Sequence, residues 1–316
     1  MRAAGGARVG VDVGGTTTRV LVQGAGRRRA EVGSAPTPDT YDALLALIAR
    51  LVADAGEQAI GGAGCGVPGT AGSGGVGFVP ALPFLEGRDL AADLAGVLRA
   101  PVAVANDAQL ALLGEAREGA ARGRRSAVLV SVGTGIGGAI MVEGRVFPGA
   151  HGSAGSWGWL PAAGAAPDEV HGELEQVASG TALSRQAAAL ESALTAAELV
   201  EAARRHDHRA ERAVGAYAAR LGRGIAAIAS VIDPEIVLVG GGLSEAMDVI
   251  GPAIAESCRR FASPDGRKVP VVRASLGPSA GVVGALWLAP GQGGRRAGPG
   301  ATENTTQAAV GRSEGQ

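Results

Sequence analysis

The chain has 316 residues, 46% of them hydrophobic, and a net charge of −1 from 29 basic and 30 acidic side chains. That length supports one large or two modest domains with their own cores. Near neutrality, with no basic stripe interleaved with aromatics, argues against a nucleic-acid partner held by charge. Two cysteines, Cys65 and Cys258, imply no disulfide framework and fit a reducing cytosol, so a cytoplasmic location is expected. No apolar run reaches the length of a membrane span, and the N-terminus lacks a long apolar leader core.

The first patterned stretch is Val9 to Val22, two β-branched apolar runs around Gly14-Gly15-Thr16-Thr17, which reads as strand, tight turn, strand. Gly14 and Gly15 carry no Cβ, so a ligand can approach their N–H groups closely. Thr16, Thr17 and Thr18 add hydroxyls, and such an array suits phosphate oxygens. Asp12 would repel phosphate unless Mg²⁺ lies between them. A plain hairpin turn beside a solvated acid fits the same residues.

Arg27-Arg28-Arg29 reads as a solvated loop. After the break at Pro36-Thr37-Pro38, a helix runs from Tyr41 to about Ala55, with Leu44, Leu45, Leu47, Ile48 and Leu51 on one broad face. A strand from Ala59 to Val67 enters the turn Gly66-Val67-Pro68-Gly69. A helix over Leu90–Leu98 follows, then a short buried strand, Pro101 to Ala105, ending in Asn106-Asp107. Those two residues suit caps for the next helix, roughly Ala108 to Glu118. They equally suit a general base placed at the C-terminal end of a strand.

Ser126 to Val142 repeats the opening pattern, with its tip at Gly133-Thr134-Gly135-Ile136-Gly137-Gly138. Two such units suggest related halves facing one ligand across a cleft. A Gly/Ser/Trp loop follows from His151 to Pro161, then an irregular stretch from Ala162 to Val170. Helices are expected over Glu173 to about Leu190, Ala196–Arg205 and Arg209–Ile232, the last stopped by Asp233-Pro234. The apolar strand Glu235–Val239 leads into Gly240-Gly241-Gly242, whose amides suit a nucleotide at a helix N-terminus or simply a tight turn. A helix over Ser244–Phe261, a strand over Val269–Arg273 and a helix over Ser279–Leu288 complete the pattern. The tail from Gly291 to Gln316 has no apolar period and reads as disordered.

The motifs Asp12-Val-Gly-Gly-Thr16, Gly66-Val-Pro-Gly69, Asn106-Asp107-Ala108, Gly133 to Gly138, Glu175 to Gly180 and Val239 to Ser244 occur in this order between about Val9 and Ala289. In that order and spacing the chain resembles the ROK family of sugar kinases, of the bacterial glucokinase type, and more widely the actin-like ATPase fold. The resemblance implies an α/β protein with two actin-like (ribonuclease H-like) domains around a central cleft. Residues 1–107 would form the smaller domain, joined by the returning helix 279–289, and residues 108–278 the larger. It implies ATP and Mg²⁺, with Asp107 as the base and Asp12 toward the metal. Gly133, Thr134, Gly135, Gly137 and Gly138 would lie at the β- and γ-phosphates, and Gly240, Gly241 and Gly242 at the adenosine and ribose. Gly66, Pro68, Gly69, Asn106, Asp107 and Glu175 would face the sugar. Relatives often pair, so a homodimer is compatible. Many ROK members are repressors with an N-terminal helix-turn-helix. Here the fold starts by Val9, which leaves a catalytically weak sugar-sensing regulator without a DNA-binding module as the second hypothesis.

The acceptor side departs from the family. Ser156 stands where a glutamate is usual and Trp159 where a histidine is usual, while Ala81 replaces an asparagine. Each loss would weaken binding of an ordinary hexose. Trp157 and Trp159 would share one face of an extended segment, and Trp159 suits a sugar or cyclitol ring; both also suit a packed loop core. A modified hexose or C7-cyclitol is therefore expected over plain glucose. The family's zinc motif is missing, because residues 159–173 hold no cysteine and only His171, so no zinc is expected.

Overall fold

The computed structural model describes residues 6–24, 33–56, 59–72, 75–190 and 194–291. The expectations for Arg27–Arg29 and for the tail beyond residue 291 lie outside these residues. Strands β1 (Ala7–Val13), β2 (Thr17–Gln23), β3 (Gly33–Pro36), β4 (Ile60–Val67) and β7 (Val102–Asn106) form one sheet in the order β3-β2-β1-β4-β7. β1 and β2 pair antiparallel, as do β2 and β3, while β1, β4 and β7 run parallel. The short hairpin β5 (Thr70–Gly72) and β6 (Gly75–Gly77) stands beside it.

A second sheet repeats this order and these directions. It contains β8 (Ala127–Val132), β9 (Ile136–Val142), β10 (Arg145–Phe147), β11 (Val237–Gly240) and β12 (Val271–Arg273), arranged β10-β9-β8-β11-β12. β8 and β9 pair antiparallel, as do β9 and β10, and β8, β11 and β12 are parallel. The echo between the two Gly/Thr hairpins thus extends to whole sheets.

On the first sheet, Val9, Val11 and Val13 pack with Leu44 and Ile48 of α1 (Tyr41–Asp54) and Leu90 and Leu94 of α2 (Leu90–Leu98). In the second core, Val128, Val130 and Val132 meet α7 (His208–Ile232) and α8 (Met247–Phe261). The burial pattern Val214, Tyr217, Ala218, Leu221, Ile225, Ile228 has the spacing of one helix face. α7 is capped by Asp207, and its C-cap Asp233 turns left-handed (φ 49°) ahead of Pro234. α6 (Ala196–Arg204) opens with a reciprocal Thr195–Glu198 capping box.

Two expected helices differ. The helix predicted from Glu173 to Leu190 is broken into α4 (Glu173–Ala178) and α5 (Gly180–Ala188), because Ser179 is extended (ψ 169°) and its hydroxyl caps Ala182 N. The helix predicted from Ser244 begins only at Met247, after a 3₁₀ turn over Gly242–Ala246.

α3 (Asp107–Glu118) and α9 (Ala280–Leu288) pass side by side between the two sheets. α9 is buried from Ala280 to Leu286 and lies against β1 and β4 as well as α3. Glycines make the approach possible: a methyl on Gly64 would run into the Ala285 carbonyl, and one on Gly284 into the Leu110 carbonyl. The contact is backbone on backbone, so neither side can yield by a rotamer change. Gly284→Ala should therefore lower stability by about 3 kcal/mol or more. Gly215→Ala, in open space on α7, should raise it by about 0.5–1 kcal/mol. Urea unfolding of both variants checks the contrast.

Candidate active site

Three parallel strands end together in the first half, and each delivers part of the site. Asp12 lies near the end of β1, paired in register with Gly66 of β4, which is paired with Ala105 of β7. A methyl on Gly66 would sit 3.3 Å from Asp12 Oδ1 and 3.7 Å from Asp107 Cα, so the two acids flank a gap that only glycine leaves open. Asn106 caps α3, its Oδ1 accepting from Ala108 N (3.0 Å) and Gln109 N (3.2 Å), while Nδ2 donates to the Gly69 carbonyl (3.1 Å). Capping therefore falls to Asn106, and Asp107 is the first helical residue, with Oδ1 accepting from Ala108 N at 2.7 Å.

Burial, and then the charge of Asp12, push the Asp107 carboxyl up to about 7, against the pull of its amide hydrogen bonds. Burial pushes Asp12 up to about 6, with Arg19 pulling the other way. An acid whose pKa lies near neutrality suits proton abstraction at neutral pH. Gln109 was missed from the sequence. Its Nε2 donates to Gly152 O (3.1 Å) and ties α3 to the Gly/Ser/Trp loop of the second half.

In the second half β8 and β11 also end side by side, with Gly240 opposite Ser131. Gly133, Thr134 and Gly242 line a cavity of about 770 Å³ together with α5 and α6, whose Leu183 and Val200, with Leu243, supply apolar wall. Not every glycine there is open. Gly240 lies against Leu129, Gly241 turns left-handed (φ 74°) against Val132, and the place of a Gly138 side chain is taken by Trp157. Gly133, Gly137 and Gly242 have nothing within 4 Å of a would-be Cβ. Gly14 meets Thr17 O, while Gly15 and Thr16 at the first tip are exposed.

The break at Ser179 has a consequence invisible in the sequence. It directs the start of α5 at the second tip, where Gly180 N donates to Gly133 O (2.8 Å) and Thr181 Oγ1 to Thr134 O (2.8 Å). Glu175, expected toward a sugar, accepts from Ile136 N at 2.6 Å and so supports this tip. A serine followed by glycine inside a helical pattern was the available signal.

Trp157 and Trp159 do not share a face. A 3₁₀ turn over Trp157–Trp159 buries Trp157, whose Nε1 donates to Leu129 O (2.8 Å), and leaves Trp159 46% exposed. Ser156 is exposed, and its hydroxyl donates to Ser153 O (2.7 Å). Pro68 and Gly69 sit in the turn between β4 and β5, with Gly69 close against Val79. His171 rests on Asp168, its Nδ1 3.1 Å from both carboxylate oxygens, and no thiol is near in sequence; this donor set does not fit tetrahedral zinc. The loop is held instead by Ala162 N on Glu173 (2.7 Å) and Gln176 Nε2 on Ala166 O (2.6 Å).

The ROK family model matches residues 8–292. The chain belongs to the ROK family. A ROK glucokinase from Streptomyces griseus, solved with glucose and AMPPNP, superposes with a TM-score of 0.75 and 29% identity, over 90% of this chain and 99% of that one. The glucokinase of Halalkalibacterium halodurans is 33% identical over 89% of this chain and 94% of its own length. The N-acetylgalactosamine kinase AgaK of a Shewanella species is 30% identical over 89% and 96%. The α/β architecture of paired sheets is accordingly the actin-like ATPase fold shared with ROK kinases.

The acids carry a signature in stability. A carboxyl whose folded pKa is raised favours folding in its protonated form, and that advantage is lost as pH rises from about 4 through the folded value. In the absence of ligands, Asp107→Asn should unfold at a higher temperature than the parent above pH 7, by a few degrees, with the gap closing toward pH 4. Melting curves across that range check the slope.

Proposed function

We propose that this ROK chain is an ATP-dependent phosphotransferase that moves the γ-phosphoryl group of ATP to an alcohol of a sugar or sugar-like polyol. The observation that carries the reading is Asp107, a half-buried acid just after β7 whose carboxyl is pushed up to about 7, in one molecule with two Gly/Thr tips and a nucleotide-sized cavity. Asp107 takes the hydroxyl proton as the acceptor oxygen bonds to the γ-phosphorus and the bond to the ADP oxygen breaks. Asn106, fixed by Gly69 and by its capping bonds, orients the neighbouring acceptor hydroxyl. Amides of the two tips receive phosphate oxygens, and the cavity beside Gly242 takes the adenosine.

Asp12 is the residue that would hold Mg²⁺. A single half-buried carboxylate suits an ion that takes most of its remaining ligands from phosphate and water. When bound, that ion neutralises charge on the phosphates. Both acids and both tips are present, which favours turnover over a catalytically weak sensor. Division at residue 107, with α9 returning to the first half, would set the two tips on opposite sides of the cleft.

The acceptor is read as a modified hexose or a C7-cyclitol rather than plain glucose. Ser156 has its proton engaged with Ser153, Ala81 offers no polar group, and Trp159 presents an aromatic face to solvent.

Asp107→Asn should lower kcat by about 10²- to 10⁴-fold while AMPPNP binding measured by calorimetry persists. The parent's kcat/KM should rise with pH through an ionisation near 7 that the variant lacks. Unchanged turnover would remove Asp107 as the base. In an ADP-release screen across hexoses, amino sugars and cyclitols, glucose should give a lower kcat/KM than at least one modified hexose or cyclitol.

A further inference from the structure

Thr37 lies between two prolines, on the connection from β3 to α1, and has no counterpart in the chemistry above. It nonetheless touches the first tip three times. Its N–H donates to Thr16 O (3.0 Å), its hydroxyl donates to Gly14 O (2.7 Å), and its Oγ1 lies 2.9 Å from Thr18 Oγ1. Because the one Thr37 hydroxyl proton goes to Gly14 O, Thr18 must be the donor in the hydroxyl pair. Thr18 is fully buried, so the relay from Thr18 through Thr37 to Gly14 starts from a fixed point in the core.

In a trans peptide the carbonyl and the following N–H point in opposite directions. Drawing the Gly14 carbonyl toward Thr37 therefore turns the Gly15 N–H away from Thr37, and Gly15 itself is exposed. The second tip is built alike. The Thr181 hydroxyl and N–H both hold Thr134 O, at 2.8 and 3.3 Å, and Gly180 N holds Gly133 O. At each tip a threonine from a following segment ties back a carbonyl.

We propose that Thr37 is a positioning residue for phosphoryl binding: it fixes the Gly14–Gly15 peptide with its amide toward the γ-phosphoryl end of the nucleotide, without touching the ligand. The proposal rests on reading the tip as a phosphate site, and the test separates the two. Calorimetry with AMPPNP and with AMP, both with Mg²⁺, is run on the parent, Thr37→Val and Thr37→Ser. Thr37→Val should weaken AMPPNP about five- to tenfold, the loss of about one hydrogen bond, and leave AMP unchanged. Thr37→Ser should return AMPPNP affinity to within about twofold, since the hydroxyl is restored. Equal weakening of both nucleotides, no weakening of either, or failure of serine to rescue overturns the role of Thr37. A parent that binds AMPPNP no better than AMP overturns the phosphate reading itself. If Thr37→Val does not fold, Thr37→Ala goes through the same titrations with the same expectations.

Discussion

The close approach of α9 to the first sheet and to α3 is the constraint on which the rest of the molecule depends. α9 is apolar all round and carries Gly281 and Gly284, while β1 and β4 present Gly10 and Gly64 to it and α3 presents Gly114. Removing Cβ atoms on every side lets the backbones of α9, β1, β4 and α3 meet, and dispersion then acts at full contact. The same approach shapes the site. A methyl on Gly281 would lie 2.6 Å from Asp12 Oδ2, so the first turn of this helix forms part of the wall around that acid. A helix start favours a carboxylate, yet desolvation dominates and leaves Asp12 near 6.

Electrostatics and hydrogen bonding then divide the work. The two half-buried acids lie on either side of Gly66, and the charge of Asp12 adds to burial in raising the Asp107 carboxyl. At the two tips, the carbonyls of Gly14, Gly133 and Thr134 are held by Thr37, Gly180 and Thr181. Preorganised donors need no reorientation when charge moves between oxygens. Glu173, Gln176 and Asp168 hold the loop after Trp159 together by hydrogen bonds.

Much of the frame was legible in the residues. The bounds of α1 and α2, the two hairpins and the long α7 followed from periodicity and from Pro and Gly punctuation, which are local signals. Of the two residues Asn106-Asp107, the cap falls to Asn106, and Asp107 stands inside the first turn of α3. The tryptophan pair failed for a local reason. The expectation assumed an extended segment, and a 3₁₀ turn separates side chains two apart onto different faces. Ser179 looked like one residue of a continuous helix. Its hydroxyl instead began a second helix, whose start is bonded to a tip more than forty residues away in sequence.

Sequence by itself determined the repeated hairpins, the order of strands and helices, and the presence of two acids and two glycine-rich tips, since each is written in short-range pattern and residue type. Tertiary structure alone decided which glycines stay open and which are filled, that Glu175 holds a backbone amide of the second tip, and that both carboxyls sit near neutrality. The physical reason is range. Side-chain type is a property of one position, whereas desolvation, through-space charge and the direction of a peptide plane depend on neighbours brought together only when the two halves and α9 pack.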